Sequence, residues 1–151
     1  MTTTAPSVDT FTLTEEIVVH ASLEDTWDSL VAQLGERNEL PDGTKFPMVL
    51  EPTVGGRWYR DLGEGNGHFW AMVQSVKRPL LLELWGPLFM STGASSNLMY
   101  RLTEHPDGSM IAFRHTVVGP FPEAERPRMG EGWTAIHSRV KRAAEAGGAR
   151  G

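Results

Sequence analysis

The stretch that decides the fold spans residues 129–146 and reads MGEGWTAIHSRVKRAAEA. Its apolar side chains recur at intervals of three and four residues, at Met129, Trp133, Ile136, Val140 and Ala143. That spacing places them on one face of an α-helix. Gly147 and Gly148 follow, and glycine favours the left-handed conformation that ends a helix. The pattern predicts a long final helix that packs one face against a large apolar surface.

The chain ahead of this helix mostly alternates apolar and polar residues, which is typical of β-strands with one buried face. In the first strand, Phe11, Leu13, Ile17 and Val19 share the apolar side, and Glu15 interrupts it, either at the rim or at a bulge. Six further strands are predicted over residues 46–50, 57–62, 68–76, 80–85, 97–104 and 110–118. Because short turns separate most of these strands, we expect them to pair antiparallel in one sheet.

A shorter helix is predicted after the first strand. Its start is Ser22, whose hydroxyl can accept a hydrogen bond from the backbone N–H of Asp25. One apolar stripe follows, formed by Leu23, Trp27, Leu30, Val31 and Leu34. The order of strand, helix, six strands and long helix predicts an α+β domain, with a seven-stranded antiparallel sheet covered by the final helix. We expect residues 1–10 to form a disordered tail and residues 11–148 to form a single domain.

The composition limits the function classes. The chain has 151 residues, a net charge of −5 and no cysteine. The negative charge argues against nucleic-acid binding, which normally shows a basic patch, and without cysteine there are no disulfides or thiolate metal ligands. The longest apolar run falls far short of the ~20 residues that span a bilayer, and residues 1–10 lack the pattern of a signal peptide. We therefore predict a cytoplasmic protein with no membrane insertion, no metal and no cofactor.

Four short segments carry a family resemblance when they are taken in order. They are residues 11–30 (FTLTEEIVVHASLEDTWDSL), 54–58 (VGGRW), 102–115 (LTEHPDGSMIAFRH) and 131–133 (EGW). They resemble the opening strand and helix, the Gly-Gly hairpin, the closing hairpin and the start of the last helix in the START/Bet v 1-like (SRPBCC) superfamily. The Gly-Trp pair is similar to the one in the branch named for the activator of the Hsp chaperone ATPase.

This resemblance implies a helix-grip fold, in which a seven-stranded sheet curves around the long C-terminal helix and leaves a cavity between them. The superfamily includes lipid carriers, cyclases, hormone receptors and co-chaperones, so the resemblance bears on the fold more than on the activity. It supplies no shared catalytic residue that could be carried over to this chain.

The candidate site lies between the two walls of that cavity. Trp133 is either a core residue or a wall on which a flat ligand stacks. His115 shares a strand face with Phe113 and points inward by parity. It is either a buried histidine bonded to a neighbour such as Tyr100, or a polar anchor or general acid/base. His137, one turn after Trp133, either faces the cavity or flanks it. The predicted ligand-binding residues are Trp70, Trp85, Tyr100, Phe113, His115, Trp133 and His137, with His115 and His137 as the catalytic candidates.

Three positions around the cavity keep two interpretations each. In strand 68–76, either the side with Trp70 or the side with Phe69 faces the interior. Trp85, just before a Gly-Pro pair, lies either at the mouth of the pocket or on an ordinary strand. Residues 88–90, just after that pair, either continue the strand or form a lip.

Three functions follow from this reading. The first is binding of a small apolar or aromatic ligand in the cavity. The second is an enzyme of the cyclase or hydrolase type, in which His115 or His137 moves a proton. The third is a chaperone-binding or dimerising domain with an exposed apolar patch. We expect a small hydrophobic molecule as the partner and leave a homodimer open.

Overall fold

A computed structural model describes residues 9–147 of the chain, which form seven strands and two α-helices. In chain order the elements are β1 (Thr10–Val19), α1 (Leu23–Leu34), β2 (Val49–Leu50), β3 (Arg57–Gly63), β4 (Asn66–Lys77), β5 (Leu81–Gly86), β6 (Ser95–His105), β7 (Gly108–Val118) and α2 (Arg126–Glu145). A 3₁₀ turn at Glu123–Glu125 leads into α2. The predicted order of elements is confirmed.

All seven strands form one antiparallel sheet in the order β1-β7-β6-β5-β4-β3-β2. Strands β2 to β7 follow one another across the sheet, and β1 pairs with β7 at the far edge, from Thr10 opposite Val118 to Val19 opposite Ser109. One face of this sheet carries the core and is covered by α2. Phe113 of β7, for example, lies 5.0 Å from Trp133 of α2 between ring centroids.

Helix α1 begins and ends where the sequence predicts. The backbone N–H of Asp25 donates to Ser22 Oγ at 3.1 Å, which caps the first turn. Gly35 follows the last turn, and its N–H donates to the carbonyl of Val31 at 3.0 Å. The buried hydroxyl of Ser29 donates to the Val140 carbonyl at 2.7 Å. This bond fixes α1 against α2.

Helix α2 has the predicted amphipathic character with two corrections. Its buried residues are Met129, Trp133, His137, Val140 and Ala144. Ile136 and Ala143, which we counted on this face, are only half-buried, because the 3.6-residue turn buries His137 and Ala144, one position further along. The helix also begins before residue 129, at Arg126, since Pro127 fits a first turn that needs no N–H donor.

A bulge in β4 decides which of its side chains face the interior. Trp58 of β3 pairs with Ala71, whereas the next residue, Tyr59, pairs with Phe69, so that Trp70 is the extra residue. Consequently Trp70 and Ala71 are both buried while Phe69 is 43% exposed. Neither of the two alternating sets predicted for this strand lies wholly inside.

Gly86 of β5 makes room for the bulge. A Cβ at this position would lie 2.3 Å from the carbonyl oxygen of Trp70. The same oxygen accepts the backbone N–H of Leu88 at 2.8 Å. This close approach turns the chain inward after β5, so residues 88–90 form a lip and not a continued strand.

Most predicted strand bounds shift by one or two residues, and two change in a way that matters for the fold. The predicted strand at 46–50 is reduced to Val49–Leu50, since Pro47 cannot donate to a neighbouring strand. Strand β1 already begins at Thr10, inside the segment that we assigned to a disordered tail. Residues 1–8 of that tail, and residue 148 at the end of the predicted domain, lie outside the described residues.

Candidate functional site

A pocket of about 430 Å³ opens between the N-terminal half of α2 and the loops beside it. Helix α2 contributes Arg128, Met129, Gly132, Trp133 and Ile136. The loop between α1 and β2 contributes Asn38, Glu39, Leu40, Pro41 and Phe46. The remaining lining residues are Trp70 on β4, Phe89 and Met90 after β5, and Phe121 and Glu125 ahead of α2. Small-molecule sites typically enclose roughly 300–1,000 Å³, so this volume suits a small ligand.

Four aromatic rings form a continuous arc along the pocket. Phe46 lies 6.2 Å from Trp70, Trp70 lies 5.7 Å from Phe89, and Phe89 lies 6.4 Å from Trp133, all between ring centroids. Aromatic partners attract one another at centroid distances of about 4.5–7 Å in offset or edge-to-face arrangements. The arc therefore offers a planar ring system several favourable contacts.

The charged lining residues are already paired. Glu39 Oε2 lies 2.9 Å from Lys45 Nζ, and Glu125 Oε2 lies 3.4 Å from Arg128 Nη1. The Arg128 side chain is 82% exposed. We therefore assign these groups to the solvent-facing rim, and the apolar side chains to the interior of the pocket.

Histidines hold both pocket tryptophans by their indole N–H groups. Trp133 Nε1 donates to His115 Nδ1 at 3.0 Å, and Trp70 Nε1 donates to His68 Nδ1 at 2.9 Å. The N–H is the one polar group of a tryptophan side chain. With it bonded to a histidine, each tryptophan offers the pocket only hydrocarbon ring surface.

The bond from Trp133 also fixes the tautomer of His115. A nitrogen that accepts a hydrogen bond cannot carry the proton, so the proton lies on Nε2, which donates to Ser96 Oγ at 2.8 Å. Burial lowers the pKa of His115 to about 4. His115 is therefore uncharged at neutral pH and cannot serve as a general acid there.

A second network, buried at His137 and Tyr100, joins α2 to β1 through the partly exposed Glu15. Its Oε1 accepts a hydrogen bond from His137 Nδ1 at 2.6 Å, and its Oε2 accepts one from Thr134 Oγ1 at 2.7 Å. His137 Nε2 then accepts the hydroxyl proton of Tyr100 at 2.9 Å. Glu15 pairs in regular register with Phe113, so no bulge explains its place on the apolar side. Its carboxylate serves instead as the polar partner of a buried imidazole.

The titration of this network follows from its burial. Burial lowers the pKa of His137, and the hydrogen bond and charge of Glu15 offset part of that change. Burial, with a further contribution from the charge of Glu15, raises the pKa of Tyr100 well above its usual value. Tyr100 thus keeps its proton at neutral pH.

The structure separates six of the seven predicted site residues into two groups, and the seventh, Trp85, lies elsewhere. Trp70 and Trp133 line the pocket. The residues packed behind it are Tyr100, Phe113, His115 and His137, each at most 3% exposed. The Phe113 ring contacts both groups, because its centroid lies 5.0 Å from that of Trp133 and 4.5 Å from that of His137. The space that we expected between the helix and the centre of the sheet is therefore filled, and the pocket lies toward the loops.

Trp85 does not belong to the pocket, contrary to our prediction. Its side chain is 51% exposed and lies opposite Met72, which is 42% exposed. Leu82 and Leu84 of the same strand are buried, so strand alternation turns Trp85 to the outer face. The alternative interpretation, an ordinary strand aromatic, is the correct one.

Several pocket residues were missing from the prediction because they lie in loops. Phe121 and Asn38 follow no hydrophobic period, and period is the main signal available in a single sequence. Phe46 was assigned to the predicted strand 46–50, which the structure reduces to Val49–Leu50. Phe89 could have been predicted as a lining residue, because one interpretation of residues 88–90 made them a lip of the pocket. For Glu15 the signal was its position among apolar residues on β1, which asks for a buried polar partner.

Comparisons with known proteins give matches in structure and none in sequence. No protein-family model and no curated protein sequence matches the chain. A protein from Rhizobium leguminosarum aligns with a TM-score of 0.72 at 16% identity, over 93% of this chain and 97% of that one. Ara h 8.0201 aligns with a TM-score of 0.65 at 10% identity, over 91% of this chain and 99% of that one.

The chain has the helix-grip fold. The predicted α+β architecture, a seven-stranded antiparallel sheet with a long C-terminal helix and a short helix after the first strand, is confirmed. DynU16, from the dynemicin biosynthetic locus, also aligns, with a TM-score of 0.66 at 17% identity over 91% of this chain and 48% of that one. These likenesses support the START/Bet v 1-like resemblance at the level of fold.

Two further findings concern residues 9–147. No three His, Asp or Glu side chains in this range are grouped so that they could hold a metal ion. No helix in the same range is both long and apolar enough to cross a membrane.

Proposed function

We propose that this chain binds a small apolar or aromatic ligand in the pocket between α2 and its neighbouring loops. The observation that carries the proposal is the arc of Phe46, Trp70, Phe89 and Trp133, in which both tryptophan N–H groups are bonded to histidines. Such a wall loses little hydration when a flat apolar molecule covers it, and ring contacts add to the gain.

Gly132 marks a place where the pocket can be filled. Glycine inside a helix costs about 1 kcal/mol relative to alanine, yet a Cβ built on Gly132 meets no atom within 4 Å. Since Gly132 lines the pocket, we expect a larger side chain there to occupy pocket space. Gly130 also leaves a Cβ free of contacts, but it does not line the pocket. The two glycines therefore provide a matched pair of sites on one helix.

The test measures binding of benzofuran, a neutral bicyclic probe, to the wild type, Gly132→Leu and Gly130→Leu by titration calorimetry. Both substitutions improve helix propensity, and thermal melts check that both variants fold. We expect Gly132→Leu to weaken binding by about tenfold or more, the equivalent of ~1.4 kcal/mol, and Gly130→Leu to have little effect. A wild type that binds no benzofuran at millimolar concentration, or equal losses in both variants, would contradict the proposal.

The enzyme alternative depends on His115 and His137, and neither is in position to act on a molecule in the pocket. His115 and His137 are at most 1% exposed, and neither lines the pocket. Their ring nitrogens are bonded to Trp133, Ser96, Glu15 and Tyr100. We therefore assign both histidines to support of the pocket wall and not to proton transfer.

A second candidate function is self-association through the outer face of the sheet. Trp85 and Met72 lie side by side there and are 51% and 42% exposed. Large exposed apolar side chains that adjoin one another are typical of contact surfaces. Sedimentation equilibrium should then show a dimer that Trp85→Ser weakens, and a wild type that stays monomeric at high micromolar concentration would argue against it.

We further infer that the chain belongs to the START/Bet v 1-like superfamily, in the branch named for the activator of the Hsp chaperone ATPase. The Gly-Gly hairpin supports this, because a Cβ on Gly56 would lie 2.1 Å from the Glu51 carbonyl oxygen. The Gly-Trp pair at residues 132–133 also supports it, since both residues line the pocket. The cytoplasmic location stays a prediction.

A further inference from the structure

A hollow of about 290 Å³ opens on the outer face of the sheet, the face turned away from α2. Ala112 of β7 lies at its centre, paired on one side with Arg101 of β6 and on the other with Glu16 of β1. Met99 and Arg114, on the same face, also line it. The small side chain of Ala112 leaves a space that its larger neighbours surround. We call this feature the Ala112 hollow.

Trp85 of β5 projects from the same outer face and matches the hollow in chemistry. It is 51% exposed, and its indole N–H has no hydrogen-bond partner among residues 9–147. Arg101 likewise makes no ion pair and no side-chain hydrogen bond within those residues. A guanidinium attracts the face of a tryptophan ring, and an indole N–H donates to a carboxylate such as that of Glu16. The wall of the Ala112 hollow therefore suits a tryptophan side chain.

The strand register keeps Trp85 away from the hollow of its own molecule. Trp85 pairs with Asn97, whereas Arg101, further along the same strand β6, pairs with Ala112. With about 4.8 Å between strands and about 3.4 Å per residue, the Cα atoms of Trp85 and Ala112 are roughly 17 Å apart on the sheet. Met99 lies midway between them. Trp85 can therefore fill only the hollow of another copy.

We propose that the chain forms a symmetric dimer in which Trp85 of each copy inserts into the Ala112 hollow of the other. A two-fold axis that lies between the two sheets and passes close to Met99 exchanges the two positions, so both contacts form together. A two-fold interface requires this kind of self-complementary surface. The inference rests on the second candidate function, self-association through the outer face, and names the contacts that hold the two copies together.

The charges on this face agree with the same axis. With ideal strand spacings, the axis brings Glu83 of one copy within about 3 Å of Arg101 of the second copy, measured along the sheet. Glu83 Oε2 accepts the Asn97 side-chain amide at 2.8 Å, which leaves Oε1 for the arginine. Opposite charges that meet across an interface help to fix its register. Two such pairs would lie beside the two tryptophan contacts.

The test measures the dimer dissociation constant by sedimentation equilibrium for the wild type, Trp85→Ser, Ala112→Phe and an equimolar mixture of these two variants. Phenylalanine is favourable in a strand and would fill the hollow. Thr103→Phe adds the same ring on the same face of β6 but outside the hollow, and serves as the control. Thermal melts check that every variant folds.

We expect Trp85→Ser and Ala112→Phe each to raise the dissociation constant roughly tenfold or more, as loss of a central aromatic contact does, and Thr103→Phe to change it little. The mixture should associate more tightly than either variant alone, because the Ala112→Phe copy keeps Trp85 and the Trp85→Ser copy keeps the hollow. No gain on mixing would overturn the inference, while weakening by Trp85→Ser would still support self-association. A wild type that forms no dimer would overturn both.

A charge exchange gives a second measurement that does not depend on Ala112→Phe. Glu83→Arg alone and Arg101→Glu alone would each set like charges against each other across the interface and should weaken the dimer. The double variant Glu83→Arg/Arg101→Glu restores opposite charges and should recover most of the association. A double variant that associates no better than the single ones would overturn the inference even if Ala112→Phe did not fold.

Discussion

Acidification should weaken the fold by charging His115, and the size of the effect can be worked out from its surroundings. At neutral pH, His115 Nδ1 accepts the indole N–H of Trp133 and Nε2 donates to Ser96. A second proton would go to Nδ1 and turn it from acceptor to donor. The protonated ring is thus disfavoured twice, by its burial and by the loss of the bond from Trp133.

The magnitude follows from the two pKa values. Burial lowers the pKa of folded His115 from 6.5 to about 4. Between these values the unfolded chain binds the extra proton and the folded chain does not, so stability falls as the pH falls through this interval. At ~1.4 kcal/mol for each pH unit between the two values, the full loss is about 3 kcal/mol. About 2 kcal/mol of this loss in the free energy of unfolding has already occurred when the pH reaches 5.

The assay is urea unfolding at pH 7, 6 and 5 for the wild type and His115→Asn. Asparagine can keep an acceptor for the Trp133 N–H but does not titrate. Carboxylates and His137 are common to both proteins, so their contribution cancels in the comparison. We expect the wild type to lose about 2 kcal/mol more than His115→Asn between pH 7 and pH 5. Parallel losses would refute the assignment of His115 as a buried, neutral acceptor.

Two further predictions concern α2. Trp133→Ala should lower the free energy of unfolding by about 3–5 kcal/mol, as truncation of a large buried aromatic does, and a change below about 1 kcal/mol in urea unfolding would show that the side chain adds little to the core. Deletion of everything after Gly130 removes the buried Trp133 and Val140 and should leave an aggregating sheet. A truncated chain that stayed monomeric and melted cooperatively would contradict the assignment of α2 to the core.

The regular elements could be predicted because their periods reflect one dominant force. The stripe on α2 around Met129, Trp133 and Val140 follows from burial of apolar surface, and so does the alternation of β1. The bulge at Trp70 could not be predicted this way. It buries two adjacent residues, Trp70 and Ala71, and depends on a neighbouring strand that has Gly86 at the point of closest approach. A contact between two particular residues on neighbouring strands does not alter the alternation of apolar and polar residues within either strand.

Sequence reasoning identified some of the pocket residues and missed others, and the difference has a physical basis. The tryptophans that line the pocket, Trp70 and Trp133, were found because large aromatics in regular elements bury much area. His115 was placed correctly on the inner face, whereas His137 was left open between facing the cavity and flanking it. The roles of both depend on which ring nitrogen is bonded to which partner. Asn38 could not be found, since it lies in a loop that follows no hydrophobic period.

The segment from residue 38 to residue 46 has a consequence for engineering. It closes on itself through the paired Asn38 and Phe46 backbones and supplies a third of the pocket lining. No strand of the sheet passes through it, apart from an isolated bridge between Glu39 and Lys45. A library in which this segment alone is varied could therefore yield receptors for differently shaped molecules on an unchanged frame.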